Sequence, residues 1–222
     1  MKHIFKILFA SLMIFLVSCY AYDYSISTGV VMNDELIFSD DEMINVSMSF
    51  DYPIFDSIDG LMPRTTDVLR AEVLDERVAV INIVTLDELI PPVIVFDGNR
   101  DPLYQVFTVY RLKVLDVFKG NQNIGDIIEV RIHGGRIGNI NASTPSSTHL
   151  TIGDDLIFFL NSSSIKSSPF TLASMSQAVY RFSEPSQNNL VARGINIQFE
   201  SLNERNQLTL TLEDLVSIAE EN

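Results

Sequence analysis

The sequence has one cysteine. Cys19 is the only thiol among 222 residues. An internal disulfide and a cysteine metal cluster are both excluded, since each needs a second cysteine. The chain has to fold on its hydrophobic core alone. Basic residues are also few: 15 Lys and Arg stand against 29 Asp and Glu, a formal net charge of −14. Neutralising a phosphate backbone needs clustered Lys and Arg. No such cluster is present, so no nucleic-acid partner is expected. Charge gives no reason to adhere to anionic lipid headgroups either. No apolar run reaches the roughly 20 residues of a membrane-spanning helix. A G-x-S-x-G elbow, a phosphate-binding loop and a zinc-ligand spacing are missing too. The expectation is therefore no catalytic residue, no cofactor and no metal.

What is present starts at the N-terminus. Residues 1–6, "MKHIFK", carry Lys2 and Lys6 and no acid. Residues 7–17, "ILFASLMIFLV", are apolar apart from Ser11. A basic start followed by a short apolar run and a small-residue exit is an export signal. Its removal as residues 1–18 takes away two lysines and no acid, which moves the formal charge from −14 to −16. About 200 residues remain, enough for one sizeable domain.

Beyond the signal the chain divides in two. Residues 19–66 are rich in Asp, Ser, Met and Tyr, and read as a tether with an added strand or hairpin. Within it "MINVSMSF" (43–50) alternates, with Ile44, Val46, Met48 and Phe50 on one face. That is the period of a half-buried strand. Residues 67–222 are β-rich. Val- and Ile-rich runs cover 67–84, 104–120, 125–135, 154–160 and 170–182, with a bent pair at 189–199 around Gly194. Several exceed the usual 5–6 residues of a strand, as coiled strands serving two sides of a barrel do. In "DLIFFL" (155–160), Leu156, Phe158 and Leu160 should face one way, Ile157 and Phe159 the other. "TLEDLVSIAEE" (211–221) opens with Thr211 and Asp214 at capping-box spacing and reads as a short amphipathic helix. The expected fold is mainly β: an OB-like barrel, closed or partly open, with this helix packed on it.

Two stretches resemble binding motifs in part. Asp97, Asn99 and Asp101 are spaced like the start of a calcium loop, but Pro102 stands where glycine is required and Thr108 where glutamate is. A hairpin tip explains them better. "HGG" (133–135) resembles an oxyanion-hole strand but lacks its nucleophile elbow. His133 reads as a strand-end histidine, and His149 stands in a Ser/Thr loop without a ligand partner. Gly120 and Gly125 suit a bend between strands, Asp126 a turn cap, and Lys119 a surface charge. Arg111, Lys113 and Lys119 read as one solvated face. Tyr104, Phe107 and Tyr110 are aromatics available to an OB-like surface.

"LVSC", Leu16 to Cys19, resembles the bacterial lipobox. The resemblance implies a diacylglyceryl group on the Cys19 sulfur and cleavage before Cys19. Ordinary cleavage after Ala21 is the alternative, and would leave a secreted or periplasmic chain with no cysteine. "VYRLKVLDVFKGNQNIGDIIEVRIHGG" (109–135), with Thr65-Thr66-Asp67-Val68 before it and "GDDLIFFL" (153–160) after it, resembles exported bacterial proteins with an OB-like barrel. That group is similar in fold to the netrin-like domain and the tissue inhibitors of metalloproteinases. The resemblance covers roughly residues 57–222 and implies a fold more than a function. It leads to an exported, membrane-anchored surface module that binds a protein or glycan partner without catalysis. An enzyme with an acid-based site, or a protease-inhibitor-like module, is the alternative. The inhibitors act through an N-terminal cysteine tied in a disulfide, a device that Cys19 cannot supply.

Overall fold

The computed structural model describes residues 43–50, 52–89, 104–145, 147–163, 168–182 and 197–221, all within one compact unit, Asn33–Asn222. The signal, Cys19, the stretch at 97–102 and Gly194 lie outside the described residues.

The two longest apolar runs form the two longest strands. Strand β2 (Asp67–Asn82) pairs antiparallel with β3 (Tyr104–Lys119), each of 16 residues. β2 ends at Asn82, short of the expected position 84, because the Asn82 side chain accepts the amides of Val84 and Thr85 at 2.9 and 3.0 Å. That turn replaces the ladder. β4 (Ile127–His133) pairs with the other edge of β3, and β7 (Asp155–Asn161) with the other edge of β2. β8 (Phe170–Leu172) lies parallel to β4 and antiparallel to β7. The ring β2–β3–β4–β8–β7 is thus a closed five-stranded barrel, compatible with an OB-like fold.

Three register shifts interrupt the β2–β3 ladder. They leave Phe118 and Leu115 of β3 and Leu74 of β2 without a partner. A bulge bends its strand and increases the twist, which lets two long strands coil around a small barrel.

Alternation along β7 splits its side chains as the sequence predicts. Leu156, Phe158 and Leu160 join the barrel interior with Leu69, Leu112 and Val130. Ile157 and Phe159 join a second core outside the barrel with Tyr180, Phe199 and Leu210. Two helices cover that second core. α1 (Ile58–Leu61) contributes Ile58 and Leu61, and α2 (Leu212–Glu220) contributes Leu215 and Ile218. The capping box of α2 is formed: Thr211 donates its amide to Asp214 at 2.8 Å, and Asp214 returns its own to the Thr211 hydroxyl at 3.2 Å.

The expected single strand at 170–182 is two. β9 (Val179–Arg181) continues the line of β8 along β7, but residues 173–178 loop out between them. The break falls opposite Phe159, whose carbonyl accepts Ala173 N–H and whose N–H donates to Ala178. One half must close the barrel against β4. The other must splay toward β10 (Gln198–Ser201), which leads through β11 (Leu210–Thr211) to α2. A continuous strand cannot do both. Of the expected pair at 189–199, only residues 198 and 199 fall in a described strand. Finally, β5 (Gly135–Ile137) and β6 (Ile140–Ser143) make a small sheet with β1 (Ile44–Ser47), which pairs parallel with β6.

Candidate functional site

The bulge at Leu74 sets up the site. Before it, Leu69, Ala71 and Val73 face the barrel interior. After it the phase is inverted, so Glu76 and Val78, not Asp75 and Arg77, continue that face. They stand opposite Tyr110 and Thr108 of β3. A carboxylate is thereby aimed at the barrel mouth.

Two glycines build the far wall. Gly134 and Gly135 have φ of 110° and 137°, backbone that disfavours a side chain. Gly134 donates to the Val106 carbonyl and accepts from the Thr108 hydroxyl, both at 3.0 Å. A Cβ on Gly135 would lie 2.9 Å from Val78 Cγ1 and 3.0 Å from Thr108 Oγ1. The chain therefore leaves β4 in close contact with β2 and β3 and turns into β5 and β6. Between this small sheet, the barrel mouth, Thr144 and the segment Ser147–Leu150 lies a cleft of about 550 Å³.

Its floor is apolar, with Ile132, Leu150 and Val78, and carries the Tyr110 ring. Burial, and the Glu76 carboxylate beside it, push the Tyr110 hydroxyl up to about 12 against the opposing Leu150 amide. The phenol stays protonated at any physiological pH. Thr148 is committed to the fold, donating to the Met175 carbonyl at 2.8 Å. Ser147 donates to the His133 carbonyl at 3.2 Å. Thr144 differs. It lines the cleft, is 7% exposed, and its Oγ1 has no hydrogen-bond partner among the described residues. A buried hydroxyl left unpaired costs about 1–3 kcal/mol, and such groups call for an explanation. Asn141, Ser143 and His149 stand exposed at the rim. Arg136 donates to the Gly138 carbonyl at 3.2 Å.

His133 is the strand-end residue that the sequence predicts. Its ring is held between Phe50 and Phe107, centroids 4.4 and 4.3 Å away, on the face opposite Ile132. Burial, and then the Arg131 charge, lower it to about 4. The folded pKa lies below the ordinary 6.5, so between these values the unfolded chain binds more protons than the native one. Stability is fully present above pH 6.5 and is lost as pH falls through 4. A His133→Gln variant should flatten the slope of unfolding free energy over pH 4–6.5 in urea titrations. An unchanged slope would mean that the ring is not buried neutral.

Apart from Tyr110, His149 and the Gly134-Gly135 pair, the other residues singled out by sequence fall away from the cleft or lie outside the described residues. Gly120 and Gly125 have φ of 111° and 93°, as their bend requires. Asp126 caps its turn by accepting Asn123 N–H at 2.8 Å. Lys119 is no free surface charge: it donates to the Thr65 carbonyl at 3.0 Å and ties the end of β3 to the chain entering β2. Arg111 pairs with Asp75 at 3.2 Å on the exposed face, where Lys113 also stands. Phe107 and Tyr110 lie on opposite faces of β3 and are 2% and 4% exposed, so they form no shared stacking surface. Among the described residues no group of three or more His, Cys, Asp or Glu is placed to hold a metal. No protein-family model, curated protein or solved structure matches the chain.

Proposed function

We propose that the chain is an exported binding module, anchored by lipid on Cys19 and without catalytic activity, and that the cleft at the barrel mouth is its ligand seat. The observation that carries this reading is a cleft with an apolar floor and an exposed polar rim: the Glu76 carboxylate, which also accepts from the Tyr110 hydroxyl, with Asn141, Ser143 and His149. Ligand sites combine these elements. The closest approach to an acid–base pair there is Glu76 with Tyr110. That phenol is held protonated far above neutral pH, so the pair suits orienting a ligand and not moving a proton. "LVSC" supports the anchor, and no helix among the described residues is long and apolar enough to cross a membrane. The OB-like group of exported proteins remains our reading of the family, supported by the closed barrel. The partner is a protein or a glycan. A net charge of −14 and the burial of Phe107 and Tyr110 speak against nucleic acid.

The test is site-directed cross-linking in cells. A lipidated Cys19 leaves no other thiol, so Ser143→Cys and Val216→Cys each give one attachment point for a thiol-directed photoreactive probe. Ser143 is at the rim and Val216 is exposed on α2. Discrete adducts are expected from Ser143→Cys alone. Equal adducts from both positions, or none from either, would refute the seat.

A further inference from the structure

The geometry points to the outer edge of β1 as a docking site for an extended segment of a protein partner, added as a further strand and carrying basic residues at its ends. β1 is the terminal strand of the small sheet, whose order is β1–β6–β5. Ile44 donates its N–H to the Asn139 carbonyl and Met48 donates to the Ser143 carbonyl, both at 2.8 Å. Backbone groups alternate in direction along a strand, so those of Asn45 and Ser47 point away from β6. Both residues are exposed, and among the described residues no strand pairs with that side. An open row of N–H and C=O groups is a template for another chain. No residue of β1 lines the cleft, so this edge stands or falls independently of the seat proposed there.

Sheet edges are commonly guarded by Lys, Pro, bulges or inward-pointing charges. Residues 43–50 contain no charged residue and no proline, and β1 pairs with β6 residue for residue, without a bulge. The edge is also held in place. Asn141 donates from Nδ2 to Asn45 Oδ1 at 3.0 Å, and just beyond the strand the Phe50 ring packs on His133. A strand fixed before binding loses little entropy on binding. Pattern and charge then select the occupant. Ile44 and Val46 are half-buried, while Asn45 and Ser47 face solvent, so a strand laid beside them should alternate apolar and polar residues. Asp40, Asp41 and Glu42 precede the stretch in sequence and Asp51 follows it. A second copy laid antiparallel would bring acid to acid, and each copy carries a net charge of −14. Lys or Arg at the ends of a foreign segment would meet the same acids favourably.

The experiment uses the processed chain and short synthetic peptides that alternate Val and Thr between terminal pairs of Lys, Ser or Glu. The Lys-ended peptide should bind most tightly at low salt and should protect the Asn45 and Ser47 amides from hydrogen exchange. Ser47→Pro should weaken this binding about three- to tenfold, the worth of one backbone hydrogen bond. Its melting temperature should stay level, because that N–H takes no part in the ladder to β6. Ser47→Ala keeps the N–H and should bind like the parent. Equal loss in both variants, binding untouched by Ser47→Pro, or no binding by any peptide would overturn the docking edge. Preference for the Glu-ended peptide would overturn the basic segment. Self-association in sedimentation that Ser47→Pro abolishes would give the edge to a second copy instead. Should Ser47→Pro fail to fold, exchange in the parent decides: protection at Asn45 and Ser47 supports the edge, and protection only elsewhere overturns it.

Discussion

Phe158→Ala should destabilise the chain by about 3–5 kcal/mol, the usual range for truncating a buried phenylalanine. Phe158 is fully buried in the barrel interior, opposite Leu69 of β2 and Val179 of β9. Strands hold it from both edges of β7, so the backbone has little freedom to collapse into the void. A domain with about 5–15 kcal/mol of stability loses a large share. Denaturant unfolding of parent and variant measures this directly. An unchanged midpoint would contradict the placement of Phe158 inside the barrel.

Cys19→Ser should move the protein from the membrane to the aqueous phase. If the sulfur carries a diacylglyceryl group, its loss removes the acyl chains, each buried CH₂ of which contributes about 0.8 kcal/mol of membrane affinity. The parent should enter the detergent phase on phase separation. The variant should be released, or should accumulate as an unprocessed precursor. If both partition alike, the anchor is refuted and cleavage after Ala21 becomes the better account.

Much of the architecture is legible because it is local. Alternation in "LIFFL" assigns Leu156, Phe158 and Leu160 to one core and Ile157 and Phe159 to the other without reference to any distant residue. Thr211 and Asp214 mark the start of α2 within three positions of each other. The long runs at 67–84 and 104–120 become the two coiled strands, to within two residues at their ends. The cleft was not legible in the same way. Its carboxylate depends on a bulge, whose only trace is the consecutive apolar pair Val73-Leu74 followed by three charged residues. Regular alternation carried past that pair would have aimed Asp75 at the mouth instead of Glu76. Its lining joins Glu76 to Tyr110 and Thr144, residues far apart in the sequence. Thr144 itself sits in "NASTPSSTHL", a stretch that reads as an exposed loop. Only tertiary contact shows its hydroxyl to be buried. The pair Gly134-Gly135 was visible as a strand boundary, but the close approach of Val78 and Thr108 that requires it was not. Likewise α1 lies in a stretch read as tether, because four residues are too few to show a helical period.

The most direct measurement is the melting temperature of Thr144→Val in the absence of ligand. Valine keeps the shape of threonine and removes the hydroxyl. If the fold buries that hydroxyl with no partner, as it stands among the described residues, removing it relieves a buried unpaired group. The melting temperature should then stay level or rise, by about 2–4 °C for each kcal/mol relieved in a chain of this size. A fall of several degrees would show that the hydroxyl is bonded within the fold, and would contradict the account of how the cleft wall at Thr144 is built.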